Sequence, residues 1–450
     1  MRYGRAPSAG FVPGYRGMVR RGQSLDAYIR SLGPAAWFRP GVGITVTGSG
    51  VSQWDDQSGN GRHLLQGTDA ARPIDLPFSG TRYMYLPGVV GNYASTPDSV
   101  PLSITGDLDL RIKIALYDYS PAATQGLFGK DAASNRSYSL YIPSTGRLQF
   151  FYTSDGTTTA GRVATSSVAT GIADGATKWI RCTYASATGK VNFYLSDDGS
   201  TWDALGTEQT ITAGAIFDGN SALTVGAADS AGGSMSAGKI YRAIIKNGID
   251  GTTVVDFNPG DTSDGASSFA SSATGETWTV NRSGSLPAYI VGMAGAMANG
   301  SSHYLRAEFT SDQPITDYFV CRPLSWTSGD QLIGGVSANA GAIEQSGSTP
   351  AVVLYDGSAV ASNTNLALNA RAVVCAVHNG ANGVLRVNNT TETTGNSGAG
   401  NPGGITMFAN NTPAGFTNAI GYELVRFHAA HDLATRARIV AGLMARHGVA

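Results

Sequence analysis

Charged side chains are scarce in this sequence: Asp, Glu, Lys and Arg make up 14% of its 450 residues. The formal net charge of -1 gives no overall positive field that would attract nucleic acid or an anionic membrane surface. The sequence also lacks a run of about 18 apolar residues that could span a bilayer, and its N-terminus lacks the apolar core of a signal peptide. We therefore expect a soluble protein with no nucleic-acid partner, no membrane insertion and no export by the general route.

Cysteine is equally rare, with three residues in the chain. Cys182, Cys321 and Cys375 each lie inside an apolar, strand-like run, and their odd number and wide spacing do not form a disulfide framework. The pattern predicts buried thiols, and it is consistent with assembly in a reducing cytoplasm.

Paired acids, which glycoside hydrolysis requires about 5 to 10 Å apart, are not evident. Glutamate occurs as isolated residues at Glu208, Glu276, Glu308, Glu344, Glu392 and Glu423. Asp107 and Asp109 share one face of a predicted strand, but a pair at the start of a strand is usually solvated. We expect no catalytic residue and no enzymatic activity.

Metal-ligating residues do not cluster convincingly either. The closest local group is His428, His431 and Asp432, at a predicted corner between a strand and a helix. Capping and surface solvation are the favoured interpretation, so we predict no metal site and no cofactor. A calcium ion on a rim loop stays open, because Asp and backbone carbonyls suffice to bind it and leave little trace in a sequence.

One short motif resembles part of the Asp-box of sialidases. It spans Asp197 to Trp202, reads Asp-Asp-Gly-Ser-Thr-Trp, occurs once and has Leu195 where the motif has its leading serine. The preferred interpretation is a hairpin turn that an aspartate caps and over which Trp202 packs.

Glycine, by contrast, is abundant, with 59 residues among many Ser, Thr and Asn. This composition is typical of many short strands joined by tight turns, and the length suffices for two or three cores. A predicted hairpin at 179–194 has a counterpart at 372–387, with Cys182 and Cys375 at matching places. Segments 107–116 and 223–245 likewise correspond to 315–321 and 405–427. The repeat predicts two copies of a two-sheet β sandwich.

A further motif carries a family resemblance. Ser52 to His63 reads Ser-Gln-Trp-Asp-Asp-Gln-Ser-Gly-Asn-Gly-Arg-His and is followed by Ala71-Arg72-Pro73. These residues resemble the WxDxSGxG segment that precedes laminin-G-like domains in many tailed-bacteriophage virion proteins. The resemblance implies an all-β fold: two tandem concanavalin-A-like (laminin-G-like) antiparallel β-sandwich jelly rolls, an extended N-terminal arm and a short C-terminal helix.

The predicted domains are an arm at 1–36, a strand-rich connector at 37–78, a first sandwich at 79–284 and a second sandwich at 285–450. The second includes a helix from Asp432 to His447, which Asp432 caps and Gly448 ends. Its predicted apolar face consists of Leu433, Ala437, Val440 and Met444.

The arm is rich in arginine, glycine and proline and cannot build a core of its own. We interpret it as a docking arm that inserts into a neighbouring subunit, the alternative being an ordered tail with no such role. Its predicted docking residues are Arg2, Arg5, Arg16, Arg20 and Arg21.

The resemblance implies a non-enzymatic structural protein on the surface of a tailed-phage virion, assembled in the host cytoplasm, as a tail-fibre, tail-tip or receptor-binding component. Its expected partners are other virion proteins, host-surface polysaccharide and further copies of the chain, with a trimer favoured. Exposed aromatic side chains could stack on sugar rings, and the candidates are Tyr93, Tyr138, Tyr152 and Trp326. A capsid decoration protein is the alternative, and a carbohydrate-active enzyme is disfavoured by the scattered acids.

Overall fold

The computed structural model describes residues 23–229, 234–360 and 362–449. Strands dominate these ranges and form four antiparallel sheets, which we name A to D. Sheets C and D enclose one apolar core, and sheets A and B enclose another. We call the C/D pair the first sandwich and the A/B pair the second sandwich, and they confirm the predicted all-β class.

The described part of the chain begins with one short helix and five strands. These are α1 (Leu25–Ser31), β1 (Ala36–Phe38), β2 (Ile44–Thr47), β3 (Gly50–Trp54), β4 (Leu64–Leu65) and β5 (Ile74–Leu76). The strands of the first sandwich follow: β6 (Tyr83–Pro87), β7 (Tyr93–Thr96), β8 (Leu108–Leu116), β9 (Gln125–Lys130), β10 (Tyr138–Ile142), β11 (Gln149–Tyr152), β12 (Val163–Thr165), β13 (Lys178–Ala185), β14 (Lys190–Ser196), β15 (Asp203–Ala204), β16 (Gln209–Thr210), β17 (Leu223–Val225), β18 (Ala237–Asn247), β19 (Thr252–Phe257), β20 (Ser268–Ala270), β21 (Thr277–Asn281) and β22 (Tyr289–Val291).

The remaining elements belong to the second sandwich. They are β23 (Gly295–Met297), β24 (Leu305–Glu308), β25 (Ile315–Pro323), β26 (Gln331–Gly334), β27 (Ala342–Gln345), β28 (Val352–Tyr355), β29 (Ala372–His378), β30 (Gly383–Val387), β31 (Thr393–Gly395), β32 (Gly404–Met407), β33 (Ala419–Phe427) and helix α2 (Leu433–His447). Short 3₁₀ turns lie at Asp69–Ala71, Val100–Leu102, Pro259–Asp261 and Gly380–Asn382.

The sheets show the predicted internal repeat. Sheet C runs β15-β14-β13-β8-β18-β6-β22, with β16 on β14 and β19 on β18, and sheet A runs β31-β30-β29-β25-β33-β23-β5, with β1 also on β33. The two predicted hairpins, β13–β14 and β29–β30, therefore occupy equivalent positions. Sheet D runs β12-β11-β10-β9-β17-β7-β21-β20, and sheet B runs β2-β3-β4-β24-β32-β26-β27-β28.

The first sandwich is inserted into the second. Strand β5 pairs with β23, β4 with β24, and β1 with β33, so strands upstream of the first sandwich complete sheets A and B. The segment predicted as a connector, 37–78, is thus part of the second sandwich, and the first sandwich reaches to β22 rather than ending at 284. Pairing depends on position in space, so an edge strand can come from either end of the chain; in sheets C and D the corresponding edges are filled from downstream, by β22 and β20–β21.

The apolar residues of the strands are buried in these two cores. Cys182, Cys321 and Cys375 are free thiols with 1%, 0% and 0% exposure, as the sequence predicts. Burial raises the pKa of the Cys375 thiol to about 12, so the thiol stays protonated at neutral pH. A third apolar cluster joins the two sandwiches, with Tyr83 and Tyr289 of the first packed among side chains of sheet A and α2.

Helix α2 has the predicted ends. The Asp432 carboxylate accepts a hydrogen bond from the Thr435 backbone N–H at 2.7 Å, and Gly448 follows the helix at φ +59°. Its buried face differs from the prediction, because Leu433 is 60% exposed. The buried residues follow the i, i+3, i+4 spacing of the face that packs on sheet A, and they are Arg436, Ile439, Val440, Leu443, Met444 and His447.

The predicted arm boundary also changes. Residues 25–31 form α1, whose Ile29 is fully buried and which packs against α2. The guanidinium of Arg438 on α2 lies 3.5 Å from the ring centroid of Tyr28 on α1. Leu25, Tyr28 and Ile29 give this short segment a helical apolar face, so the arm ends before α1 instead of at 36. Neither helix of the described ranges is long and apolar enough to cross a membrane.

Candidate functional site

The residues predicted to serve docking and glycan contact do not form one site. Arg2, Arg5, Arg16, Arg20 and Arg21 lie outside the described residues. Tyr93 lies half-buried on sheet D of the first sandwich, whereas Trp326 is half-buried against the core of the second sandwich, so the structure places them in different domains.

Two of the candidate aromatic residues belong to the core. Tyr138 and Tyr152 are both 0% exposed. The Tyr152 ring lies 4.6 Å from that of Tyr184, and its hydroxyl donates to the Thr212 carbonyl at 2.7 Å. Neither ring can be reached by a sugar, because the alternating pattern of β10 and β11 points both rings between sheets C and D.

The Trp-Asp-Asp-Gln-Ser-Gly motif has a structural role in this chain. The buried Asp56 carboxylate accepts hydrogen bonds from the backbone N–H groups of Trp37, Ser58 and Arg62 at 2.9, 2.8 and 3.1 Å. The indole N–H of Trp54 donates to the Arg39 carbonyl at 3.0 Å. The motif therefore holds the loop after β3 against β1, which pairs with the central strand β33.

Of the two histidines before α2, His428 is exposed and His431 has a structural contact. His431 Nδ1 lies 2.8 Å from the Tyr318 hydroxyl, and burial lowers the pKa of His431 to about 4. Asp432 caps α2, in line with the favoured interpretation. Within the part of the chain that the structure describes, no group of three or more His, Cys, Asp or Glu side chains could hold a metal ion.

Asp109 differs from its predicted solvated state. Its side chain is fully buried and forms paired hydrogen bonds with two guanidinium groups, from Arg111 at 3.0 and 2.7 Å and from Arg181 at 3.0 and 2.8 Å. Burial by itself would raise the pKa of Asp109, but these hydrogen bonds outweigh burial and lower it. Both guanidiniums lie 5.5 Å from the ring centroid of Trp202, so this tryptophan packs over an ion network.

The predicted turn at the Asp-box resemblance is present. The Asp198 carboxylate accepts hydrogen bonds from the Ser200 and Thr201 backbone N–H groups at 2.7 and 2.8 Å. These bonds lower the pKa of Asp198. The turn is a local Asx-type structure after β14.

The strongest candidate for a binding site is a cleft between the two sandwiches, with a volume of about 590 Å³. We call it the junction cleft. Its lining residues are Val46, Gly48, Ser49, Gly50, Ile74, Asp75, Pro77, Tyr85, Pro87, Val89, Tyr117, Lys239 and Leu286. A largely apolar lining with a few polar groups, located between domains, is typical of ligand sites.

One wall of the junction cleft is the β2–β3 hairpin. Gly48 adopts φ +60°, which allows the tight turn, and the Ser49 N–H donates to Asp69 Oδ1 at 2.9 Å. Arg72 donates to Asp69 at 2.7 Å and to the Thr47 carbonyl at 2.5 Å. The Ala-Arg-Pro motif thus positions this wall, because Arg72 ties the turn to the following segment.

The opposite wall comes from sheet C. Tyr85 on β6 and Lys239 on β18 are direct register partners, so their side chains point to the same face of the sheet. Tyr117 follows β8, and its backbone N–H donates to the Ala237 carbonyl at 3.0 Å. The Tyr117 side chain is 43% exposed and Tyr85 is 3% exposed, so Tyr117 presents the accessible ring.

The electrostatics of the junction cleft depend on one acid and one base. Burial raises the pKa of Asp75 to about 6, although the Lys239 charge opposes the shift. Burial likewise lowers the pKa of Lys239, and Asp75 opposes that shift. Each group is partly desolvated, so hydrogen bonds from a ligand would be stronger than on an open surface.

The junction cleft brings three different chemical groups together. Asp75 supplies the single carboxylate among its lining residues, Lys239 supplies an ammonium and Tyr117 supplies an accessible ring. A sugar would meet the Tyr117 ring, the Asp75 carboxylate and the Lys239 ammonium. Sequence reasoning missed this site because its walls come from distant segments; the run Tyr83-Met84-Tyr85, with tyrosine on one face, was the available signal.

Similarity to known proteins is found among solved structures. No protein-family model matches the sequence, and no curated protein matches it. Among solved structures, domains LG4-5 of the mouse laminin alpha1 chain are 13% identical, over 77% of this chain and 89% of that one, with a TM-score of 0.29. A native heptameric SAP-like pentraxin from Limulus polyphemus is 14% identical, over 38% of this chain and 77% of that one, with a TM-score of 0.28.

A carbohydrate-binding module is also similar. The CBM40 of Ruminococcus gnavus IT-sialidase, bound to alpha2,3 sialyllactose, is 10% identical over 38% of this chain and 94% of that one, with a TM-score of 0.27. At such identities the likeness concerns the fold alone, which the four sheets already define.

Proposed function

We propose that this protein is a non-enzymatic glycan-binding component of a tailed-phage virion surface and that the junction cleft holds the glycan. The observation that supports glycan binding is the placement of the 43% exposed Tyr117 ring in one cleft with Asp75 and Lys239. An aromatic face stacks on the apolar face of a sugar, while the carboxylate and ammonium bond to its hydroxyl groups.

The glycan proposal is tested with the full chain on a glycan array, followed by calorimetry on the glycans that bind. Tyr117→Ala should weaken binding about tenfold, because it removes the stacking surface. Asp75→Asn should weaken it by a similar factor, since a charge-assisted hydrogen bond becomes a neutral one. The control is Tyr141→Ala, on sheet D, which does not line the cleft. Absence of binding by the folded wild type, or equal losses in the control, would refute the proposal.

The virion placement rests on the resemblance of residues 52–73 to phage virion proteins. Three unpaired, buried thiols suit assembly in a reducing cytoplasm. Because α1 belongs to the folded body, the docking role of the arm is tested by deleting residues 1–22 and leaving Ser24 and α1 in place. The truncated chain should fold and yet be lost from particles. Normal incorporation would show that the arm does not anchor the protein.

Copy number separates a tail component from a capsid decoration protein. For a tail component, quantitative mass spectrometry of purified particles should find about three to twelve copies per particle, because a tail has closed rotational symmetry of low order. A count on the order of hundreds would instead favour decoration of the shell.

A further inference from the structure

A second cavity between the sandwiches is lined by basic side chains. It has a volume of about 570 Å³ and is separate from the junction cleft, with which it shares no lining residue. We call it the arginine pocket. Its lining residues are Arg82, Ser263, Asp264, Gly292, Met293, Arg322, Ala370, Arg371, Ala445, Arg446, His447, Gly448 and Val449.

Asp264 is the only carboxylate among these lining residues, and its hydrogen-bonding capacity is already used. Its side chain accepts from the Tyr289 and Tyr422 hydroxyls at 2.8 and 3.0 Å and from the Gly292 N–H at 2.8 Å, and it also pairs with Arg371. A carboxylate offers about four acceptor positions. Asp264 therefore cannot satisfy the remaining arginine donors.

Three guanidiniums of the pocket keep donors without partners. The Nε atoms of Arg82, Arg322 and Arg371 are buried and make no hydrogen bond among the described residues. Arg322 is 8% exposed, and the Arg371 side chain is 10% exposed. Buried N–H donors without an acceptor are costly, and these three belong to guanidiniums that line the cavity, whose positive charge a bound anion would offset.

The net charge of the arginine pocket is positive. Arg446 is neutralised by Asp26 and Glu423. Asp264 pairs with Arg371 and lies 3.6 Å from Arg322, so its single charge offsets one of the three positive charges of Arg82, Arg322 and Arg371. Arg371 also donates to the His447 carbonyl at the end of α2, so the negative end of that helix does not face the cavity unpaired.

The shape of the pocket is set by the fold around it. The Arg371 and Arg322 guanidiniums lie 4.5 and 5.5 Å from the ring centroids of Tyr422 and Tyr289, and the two tyrosine hydroxyls are 3.0 Å apart. Stacking of this kind holds a guanidinium in one plane, which suits the paired bonds that an oxyanion accepts. The side chains come from both sandwiches, so the site exists only in the assembled chain.

We propose that the arginine pocket binds an oxyanion: the carboxylate, sulfate or phosphate group of an anionic ligand. The volume exceeds that of a bare ion and admits a group the size of a monosaccharide. This site is distinct from the junction cleft and does not depend on glycan binding there.

The test is calorimetry on the full chain at constant ionic strength with three probes: inorganic sulfate, D-glucuronate and D-glucose. Sulfate and glucuronate should bind saturably, and glucose should not. Binding of sulfate without glucuronate would still support an oxyanion site and would limit it to free ions. Failure of both anions to bind would overturn the proposal.

Variants assign the binding to the pocket. Arg82→Gln should raise the Kd of the anions about tenfold with little effect on folding, because Arg82 makes one hydrogen bond, to the Gly260 carbonyl at 3.3 Å. Arg322→Lys keeps the charge and should weaken binding less than Arg322→Gln. The matched control is Arg136→Gln, a half-exposed arginine paired with Asp131 on the first sandwich. Equal affinity of wild type and Arg82→Gln would overturn the assignment.

Tyr117→Ala separates the two proposals. It should leave anion binding unchanged, since Tyr117 lines the junction cleft and not the arginine pocket. A loss of anion binding in Tyr117→Ala would place the anion in the cleft and refute the second site.

Discussion

Alkaline pH should destabilise the second sandwich through one buried histidine. His378 on β29 is 0% exposed, and its Nδ1 lies 2.9 Å from both carboxylate oxygens of Asp356. Its Nε2 lies 3.4 Å from Asp317, which the Arg426 guanidinium holds at 2.8 and 2.6 Å. With His378 protonated, the cluster contains two carboxylates and two cations, and its charges balance.

Deprotonation of His378 would leave one uncompensated negative charge inside the sandwich. Burial alone would lower the pKa of His378, but the Asp356 and Asp317 carboxylates outweigh burial and raise it to about 9. The unfolded chain has a histidine pKa of about 6.5. Because the folded state binds the proton more tightly, this stabilisation is complete below about pH 6.5 and is lost as pH rises to about 9.

The pKa of His378 differs by about 2.5 between the folded and unfolded states, so its protonation contributes about 3 kcal/mol to the free energy of unfolding. This contribution is measured by urea unfolding of the wild type and His378→Gln from pH 6 to 10. The readout is the protection of the β29 segment from hydrogen exchange, which reports on the second sandwich. Other titrating groups are common to both proteins, so the difference between their pH profiles isolates His378. Parallel profiles would refute the reasoning.

Three further changes test how the second sandwich is held together. Glu423→Ala should cost about 3 to 5 kcal/mol in urea unfolding, because it leaves the buried His447 without its carboxylate and Arg446 with Asp26 alone; a cost below about 1 kcal/mol would show that α2 docks by apolar packing alone. Asp56→Ala should cost about 3 kcal/mol in the same measurement, since three backbone N–H groups lose their acceptor, and an unchanged urea midpoint would contradict the structural role of the motif. Asp432→Ala should lower stability by about 1 kcal/mol through loss of the helix cap, and a larger effect would indicate a role beyond capping.

Local pattern predicted the elements well. Alternation in Leu108–Leu116 gave the central strand β8, the matched hairpins gave β13–β14 and β29–β30, and Asp432 with Gly448 gave the ends of α2. Each of these features depends on residues close together in the chain. Side-chain period and capping chemistry act over a few residues, so a sequence is sufficient to detect them.

Individual side-chain roles were harder to predict. Tyr138 and Tyr152 were expected at the surface and lie in the core, whereas Asp109 was expected in solvent and lies beneath two arginines. A strand pattern shows which residues share a face, but it does not show which face another sheet covers. For the two tyrosines, that choice depends on how sheets C and D pack together. Asp109 lies on the opposite face of β8 from Leu108 and Leu110, where Arg111 and Arg181 cover it.

The sequence by itself determined the fold class, the repeat, the buried thiols and the C-terminal helix, because these follow from local periodicity and composition. The tertiary structure alone decided that β1–β5 complete the second sandwich and that the first sandwich is inserted between β5 and β23. It also determined both cavities. Asp75 and Tyr117 line one cavity, and Arg82 and Arg371 line the other, only when the two sandwiches pack together. Edge pairing and cavity formation depend on proximity in space, which the order of residues does not specify.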